Sequence, residues 1–229
     1  MNKIPTITKN LLIINVLFYM GTLALGKYGI DVQSMFGLHF FKASGFRIYQ
    51  LITYMFLHEG FQHIFFNMFA VWMFGSVLEN IWGPKKFLLF YLVCGIGAGI
   101  TQELVQWAHY SLTLSNYDSV NMAGRIIEME QYLNMLLTVG ASGAVYGILL
   151  GYGMTFPNNP IYIIPIPFPI KAKWLITGYI VLELVLGLSN NAGDNVAHFA
   201  HLGGMLFGWL LILYWKRNRK KYGDIHFRY

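Results

Sequence analysis

Two short clusters hold the residue types of acyl-transfer chemistry. Gly140-Ala141-Ser142-Gly143 offers a hydroxyl among small residues, and Ala200-His201, followed by Gly204 and Gly208, offers an imidazole. A serine hydroxyl is a weak nucleophile until a hydrogen-bonded base takes its proton, and histidine is the commonest such base. Each cluster lies inside an uncharged stretch of bilayer length, where a polar side chain is costly and is read first as functional. The plainer alternative is that a membrane serine bonds its own helix backbone and that Gly-Ser-Gly serves only close helix packing. What separates the two readings is whether hydroxyl and imidazole stand at one depth.

Composition sets the surroundings of both clusters. Of 229 residues 56% are hydrophobic and 11% charged, and the mean hydropathy is +0.49, which excludes an ordinary soluble domain. The single cysteine, Cys94, excludes an internal disulfide and a cysteine-based metal or redox centre, and reads as a small apolar packing residue. The formal charge of +6 does not signify nucleic acid, because the basic residues sit between apolar runs or at the tail rather than interleaved with aromatics. They read as topology signals.

Charges and prolines divide the chain into an expected all-α membrane protein of six spans, at about 10–26, 60–79, 87–109, 142–156, 174–188 and 196–215, most near the ~20 residues that a ~30 Å hydrocarbon core requires. The fourth is cut short by Pro157, with Pro160, Pro165, Pro167 and Pro169 behind it. Of sixteen basic residues, twelve (Lys3, Lys9, Lys85, Lys86, Lys171, Lys173 and those from Lys216 to Arg228) fall on the side of the two termini, and Lys27, Lys42, Arg47 and Arg125 fall opposite. That bias places both termini in the cytoplasm, and the expected location is a bacterial cytoplasmic membrane. No small-residue cleavage site follows the first run, which therefore reads as a structural helix. With no convincing repeat or low-complexity tract, 1–229 reads as one domain. Residues 28 to 57, rich in Phe and interrupted by Gly and charge, read as an interfacial or partly embedded element, and Tyr110 to Gln131 as a polar external loop.

Depth arithmetic joins the two clusters. Ser142 stands fifteen positions before Pro157 and His201 fifteen before Lys216, so at ~1.5 Å per residue both lie ~22 Å above the inner boundary, on helices running the same way. Gly143, Gly147 and Gly151 form one small-residue stripe, and Ala200, Gly204 and Gly208 another; facing each other, they would allow close backbone contact. Tyr146, one turn after Ser142, shares its face and is placed to stack on the His201 ring. No Asp or Glu is evidently placed to complete a triad, so the pair reads as a Ser-His dyad. His63 and Asn67, at i and i+4 on the second span, lie ~24 and ~18 Å above Glu79, bracketing the serine. They are candidate donors for an oxyanion.

These motifs resemble those of the rhomboid family of intramembrane serine proteases: His58, His63 and Asn67 as His-x4-His-x3-Asn; Gly140, Ser142 and Gly143 as Gly-x-Ser-Gly; Ala200, His201, Gly204 and Gly208 as Ala-His-x2-Gly-x3-Gly. The resemblance covers nearly the whole chain. It implies a six-helix rhomboid-like bundle, Ser142 as nucleophile and His201 as general base and acid. It also implies an oxyanion hole of His63, Asn67 and the Ser142 N–H, with Tyr146 as ring partner and Glu79 as structural anchor. Substrates would be single-span membrane proteins, with lipid as the surrounding partner and no cofactor or metal. The chain departs from the family where Trp-Arg is common before the first motif histidine. Tyr49-Gln50 stand there, with Phe46-Arg47 three residues earlier.

Other residues take lesser roles. The Gly204 and Gly208 spacing selects His201 over His198, which reads as an outer-end polar contact. His58 reads as ordering the top of the second helix. Glu183 reads as neutral or hydrogen-bonded, with gating of the fifth helix as the alternative, and Glu103 as an outer-interface residue. His39, His109 and His226 have no assigned chemistry. Competing functions are a zinc protease, a transporter and a catalytically silent relative that binds or escorts membrane helices. His58-Glu59 and His63 fail the first, because five residues turn the second imidazole by about 140° from the first. Paired broken helices, expected of inverted repeats, are missing for the second. Intact Ser142 and His201 argue against the third. Water must reach the serine, so the segment from about Gln131 to Ala141 should line a cavity open to the outside.

Overall fold

The computed structural model of the chain describes residues 3–122, 124–163, 167–189 and 197–218. Pro165, the expected start of the last span at 196, and the basic tail beyond 218 lie outside them. The first helix, α1 (Thr6–Gly26), is followed by α2 (Val32–Phe36), β1 (Leu38–His39), α3 (Gln50–Thr53) and a 3-10 turn, Tyr54–Phe56. The second span comprises α4 (Phe61–Ala70), a π-turn Val71–Gly75 and α5 (Ser76–Trp82); α6 (Pro84–His109) continues into a second π-turn, Tyr110–Leu114. A hairpin of β2 (Ser119–Met122) and β3 (Arg125–Glu128), then α7 (Met129–Met135) and β4 (Leu137–Thr138), lead to α8 (Ser142–Thr155). The strands β5 (Pro160–Ile161) and β6 (Ile170–Lys171) precede α9 (Ala172–Ser189) and α10 (His198–Arg217).

Among the described residues five helices are long and apolar enough to cross a membrane: Thr6–Gly26, Phe61–Trp82, Pro84–Leu114, Ala172–Ser189 and His198–Arg217. The second and third run beyond their expected ends at 79 and 109. The element expected as the fourth span, α8, has 14 residues, or ~21 Å, short of a ~30 Å core. Its ends are set by Gly140, at φ +129, and by Pro157, which ends the helical register. The bundle is also not wholly helical. Three two-stranded antiparallel pairs, β1 with β4, β2 with β3 and β5 with β6, close its loops.

The short helix is the axis of the fold. Gly143 to Leu150 are buried apart from a half-exposed Tyr146, and α6 and α10 pack against α8. A methyl group on Gly204 would strike the carbonyl oxygen of Gly143, and one on Gly147 would stand 3.1 Å from the Gly204 carbonyl, so the two small-residue stripes meet backbone to backbone at this level. Toward the C-terminal ends of the two helices they do not. Gly151 faces Trp82 and Phe90, and Gly208 faces Cys94 and Phe90, because side chains of α5 and α6 fill the wedge that opens between α8 and α10. Trp82, Phe90 and Trp215 close that end with ring centroids 5.0 to 6.1 Å apart, and Cys94 is the buried packing residue expected.

Carboxylates tie the periphery to this axis. Glu79 accepts the N–H groups of Ile7 (2.9 Å) and Thr8 (2.7 Å) and the Thr8 hydroxyl (2.8 Å). A negative charge thereby meets the orphan donors and positive pole at the start of α1, as expected of a structural anchor. Glu103, expected at the outer interface, is buried and accepts the N–H of Phe41 at 2.7 Å, fastening the loop between α2 and α3 to α6.

That loop also explains the departure at Tyr49-Gln50. Gln50 is buried, with its oxygen accepting the Arg47 N–H (3.0 Å) and its amide donating to the Gly45 carbonyl (3.1 Å). Tyr49 donates to the Met35 carbonyl at 3.1 Å, and the Arg47 guanidinium to those of Ser44 and Phe46 at 2.9 and 2.7 Å. The loop is organised by a neutral amide inside and a guanidinium outside. Asp31 caps α2 through the Ser34 N–H and hydroxyl, which hold its carboxyl below the usual range.

Candidate active site

Ser142 is the first residue of α8 and remains partly exposed where the following turns are buried. The turn before it depends on Gly140, whose N–H donates to the Tyr54 carbonyl at 2.9 Å. Its φ of +129 favours glycine, and a Cβ there would sit 2.8 Å from two ring atoms of His63. The missing side chain leaves room for an imidazole beside the serine.

His201, one turn into α10, brings Nε2 to 2.8 Å from Ser142 Oγ. That hydrogen bond is the geometry in which an imidazole accepts a hydroxyl proton. The Tyr146 ring lies parallel to the imidazole, centroids 4.2 Å apart and planes 12° apart. Ring rotation is thereby restricted, as the i to i+4 spacing suggested.

The expected lack of a third member does not hold. Glu183 is buried on the inward face that α9 forms with Ala172 and Ile176, and its Oε2 lies 3.1 Å from His201 Nδ1. The same oxygen is 2.6 Å from His198 Nδ1, and Oε1 accepts the Tyr146 hydroxyl. His198, the first residue of α10, is thus a polar contact at that end of the helix, buried and paired to a carboxylate. Spacing along the chain could not show this pairing, because the carboxylate comes from a different helix. The available signals were a lone carboxylate in an apolar helix at the position continuing 172 and 176, and two histidines at i and i+3.

His63, Asn67 and His58 approach from the second span. A Cβ on Gly140 would meet both the His63 ring, at 2.8 Å, and Ser142 Oγ, at 3.5 Å, and the His63 ring meets the His58 ring edge-on with centroids 5.0 Å apart. Asn67 is buried and donates one amide hydrogen to the His63 carbonyl at 3.0 Å, which leaves its second hydrogen available. His58 is buried in the loop before α4, and burial, reinforced by the charge of neighbouring His63, pushes its imidazole down to about 3. It stays neutral and supports the His63 ring rather than carrying protons.

The start of α8 adds donors of its own. The N–H groups of Ser142, Gly143 and Ala144 precede the first helical acceptor pair, Val145 N–H to Ala141 O at 3.0 Å, and are orphans at the positive end of a helix. A hydroxyl, an imidazole and an electropositive helix end converge in one partly open place. The donor atoms of Glu183, His198 and His201 lie within 4.8 Å of one another. The 2.6 Å contact between carboxylate and imidazole is that of a charge-assisted hydrogen bond, tighter than the ~3.3 Å between two ligands of one tetrahedral ion. As built, the cluster is hydrogen-bonded.

The Rhomboid domain family model matches residues 45–218. RHOMBOID-like protein 4 of Arabidopsis thaliana is 29% identical over 189 residues, covering 82% of this chain and 39% of that protein. Rhomboid protease AarA of Providencia stuartii is 29% identical over 166 residues, covering 69% and 52%. Rhomboid protease GlpG of Yersinia pseudotuberculosis is 24% identical over 215 residues, covering 93% and 63%. The chain thus spans between 39% and 63% of the length of these three relatives.

Proposed function

The chain belongs to the rhomboid family, and on that premise we propose that it is an intramembrane serine endopeptidase that cuts single-span membrane proteins. The observation that carries this reading is the 2.8 Å hydrogen bond between Ser142 Oγ and His201 Nε2 at the partly exposed start of a buried helix. In the proposed reaction His201 takes the hydroxyl proton as Ser142 attacks the scissile carbonyl. The tetrahedral oxyanion is held by the Ser142 N–H, His63 and Asn67, and His201 then gives its proton to the leaving amine. Water hydrolyses the acyl-enzyme by the same steps in reverse order.

The site requires a substrate whose backbone is open. A regular helix keeps its carbonyls hydrogen-bonded, so substrates with helix-weakening residues near the cut suit it best. Six spans with both termini cytoplasmic, α8 being the short one, and residence in a bacterial cytoplasmic membrane belong to the same proposal. The runner-up, a silent relative that binds or escorts membrane helices, has less support, since such a role does not need the serine and imidazole in contact.

Labelling in detergent with a serine-directed fluorophosphonate separates these readings. The wild-type chain is expected to be labelled and Ser142→Ala is not. Wild-type protein that stays unlabelled while correctly folded would remove the protease reading and favour the silent one.

A further inference from the structure

We propose that Glu183 is a positioning residue for the proposed reaction, its carboxylate holding the His201 ring by Nδ1 and stabilising the imidazolium that forms when Ser142 gives up its proton. The inference rests on the protease reading above and replaces a simple Ser-His dyad with a carboxylate-supported pair for this chain.

With Nε2 facing the Ser142 hydroxyl as acceptor, the neutral ring carries its proton on Nδ1. That nitrogen is buried and has no acceptor along a directed hydrogen bond among the described residues, so the nearest negative charge decides its energy. Glu183 Oε2, 3.1 Å away, is that charge. When the serine oxygen bonds to the substrate carbonyl carbon, the carbonyl electron pair moves onto its oxygen and the hydroxyl proton moves to Nε2. Both ring nitrogens then carry hydrogen and the ring is positive. The Nδ1 proton stays on the ring throughout, and Glu183 contributes attraction across 3.1 Å rather than accepting a proton.

The carboxylate is itself held in place. Tyr146, which stacks on His201, also donates its hydroxyl to Glu183 Oε1, so ring plane and carboxylate are set by one side chain. His198 Nδ1 holds Oε2 at 2.6 Å and competes with His201 for it. The titratable or polar groups around His201 are therefore Ser142 and Tyr146 from α8, Glu183 from α9, His198 from its own helix and His63 from α4.

A purely structural role is the rival, since Glu183 is the buried polar residue on a helix whose Val181, Leu182, Leu184 and Val185 are all exposed. The pH profile of kcat/KM separates them, because a pin for α9 does not set the protonation of His201. With a reconstituted single-span substrate, Glu183→Gln should lower kcat on the order of 10²-fold and move the acidic limb to lower pH by about one unit or more, since loss of the nearby anion makes the imidazolium harder to form. Glu183→Asp should return the limb toward its wild-type position. His198→Ala, which removes the competitor for Oε2, should move the limb to higher pH, and it carries the test if Glu183→Gln does not fold. An unchanged kcat and limb in Glu183→Gln, a lower kcat with an unmoved limb, or an unmoved limb in His198→Ala would each overturn the assignment. Failure of the protease reading looks different: wild type would then be as inactive as Ser142→Ala.

Discussion

Ser142 occupies the first turn of α8, where a hydroxyl is both reachable and held: two residues earlier the chain bends through Gly140, and in the turns that follow most residues are buried. At this scale the motifs told much. Equal counts to Pro157 and Lys216 set Ser142 and His201 at one height, and the i to i+4 step placed Tyr146 against the imidazole, where its ring stacks. Glu183 was not legible as a partner: a lone carboxylate in an apolar run signals that something must satisfy it, but not which of the other helices does so. Asn67 gives a direct test of the proposed oxyanion site. Its amide keeps a second hydrogen beyond the one donated to His63 O, so Asn67→Ala is expected to slow turnover by about one to three orders of magnitude with little change in KM. An unchanged kcat would assign the oxyanion to the α8 N–H groups and His63 alone.

At the scale of elements, the decisive one is a helix of 14 residues, shorter than a regular span. Its limits were visible as Gly140 and the proline series after Phe156, and so was the requirement for small residues where it meets α10. The π-turns at Val71–Gly75 and Tyr110–Leu114 were not visible, because a hydrogen-bond shift of one residue leaves no mark in composition or periodicity. Nor was the end of the stripe contact, which depends on Trp82 and Phe90 filling the space below Gly204. The contact itself can be measured. A methyl group at Gly204 strikes the backbone oxygen of Gly143, which cannot yield as a flexible side chain does. Gly204→Ala should therefore destabilise the fold by about 1–3 kcal/mol and reduce cleavage, as α10 is pushed from α8 and His201 from Ser142. A thermal midpoint and rate equal to wild type would mean that the two helices are not locked at this level.

For the whole molecule, the proposed topology sets which side of the membrane the site opens to. Cys94 is wholly buried, so introduced cysteines should report alone. Asp118→Cys, next to the exposed β2 strand, is expected to react with a membrane-impermeant maleimide applied outside intact cells, and Lys85→Cys only after the membrane is opened. The reverse pattern would invert the bundle and the proposed direction of water access. Within that frame, Glu79 at the base of the second span and Glu103 on α6 fasten α1 and the outer loop to a core built around α8, and the Glu183 cluster joins α9 to the same axis. The most direct test of the central claim is cleavage of a single-span substrate by the purified protein in liposomes, measured for wild type, Ser142→Ala and His201→Ala. The expected result is cleavage by the wild type alone, with all three proteins folded; cleavage that persists at the wild-type rate in either variant would contradict it.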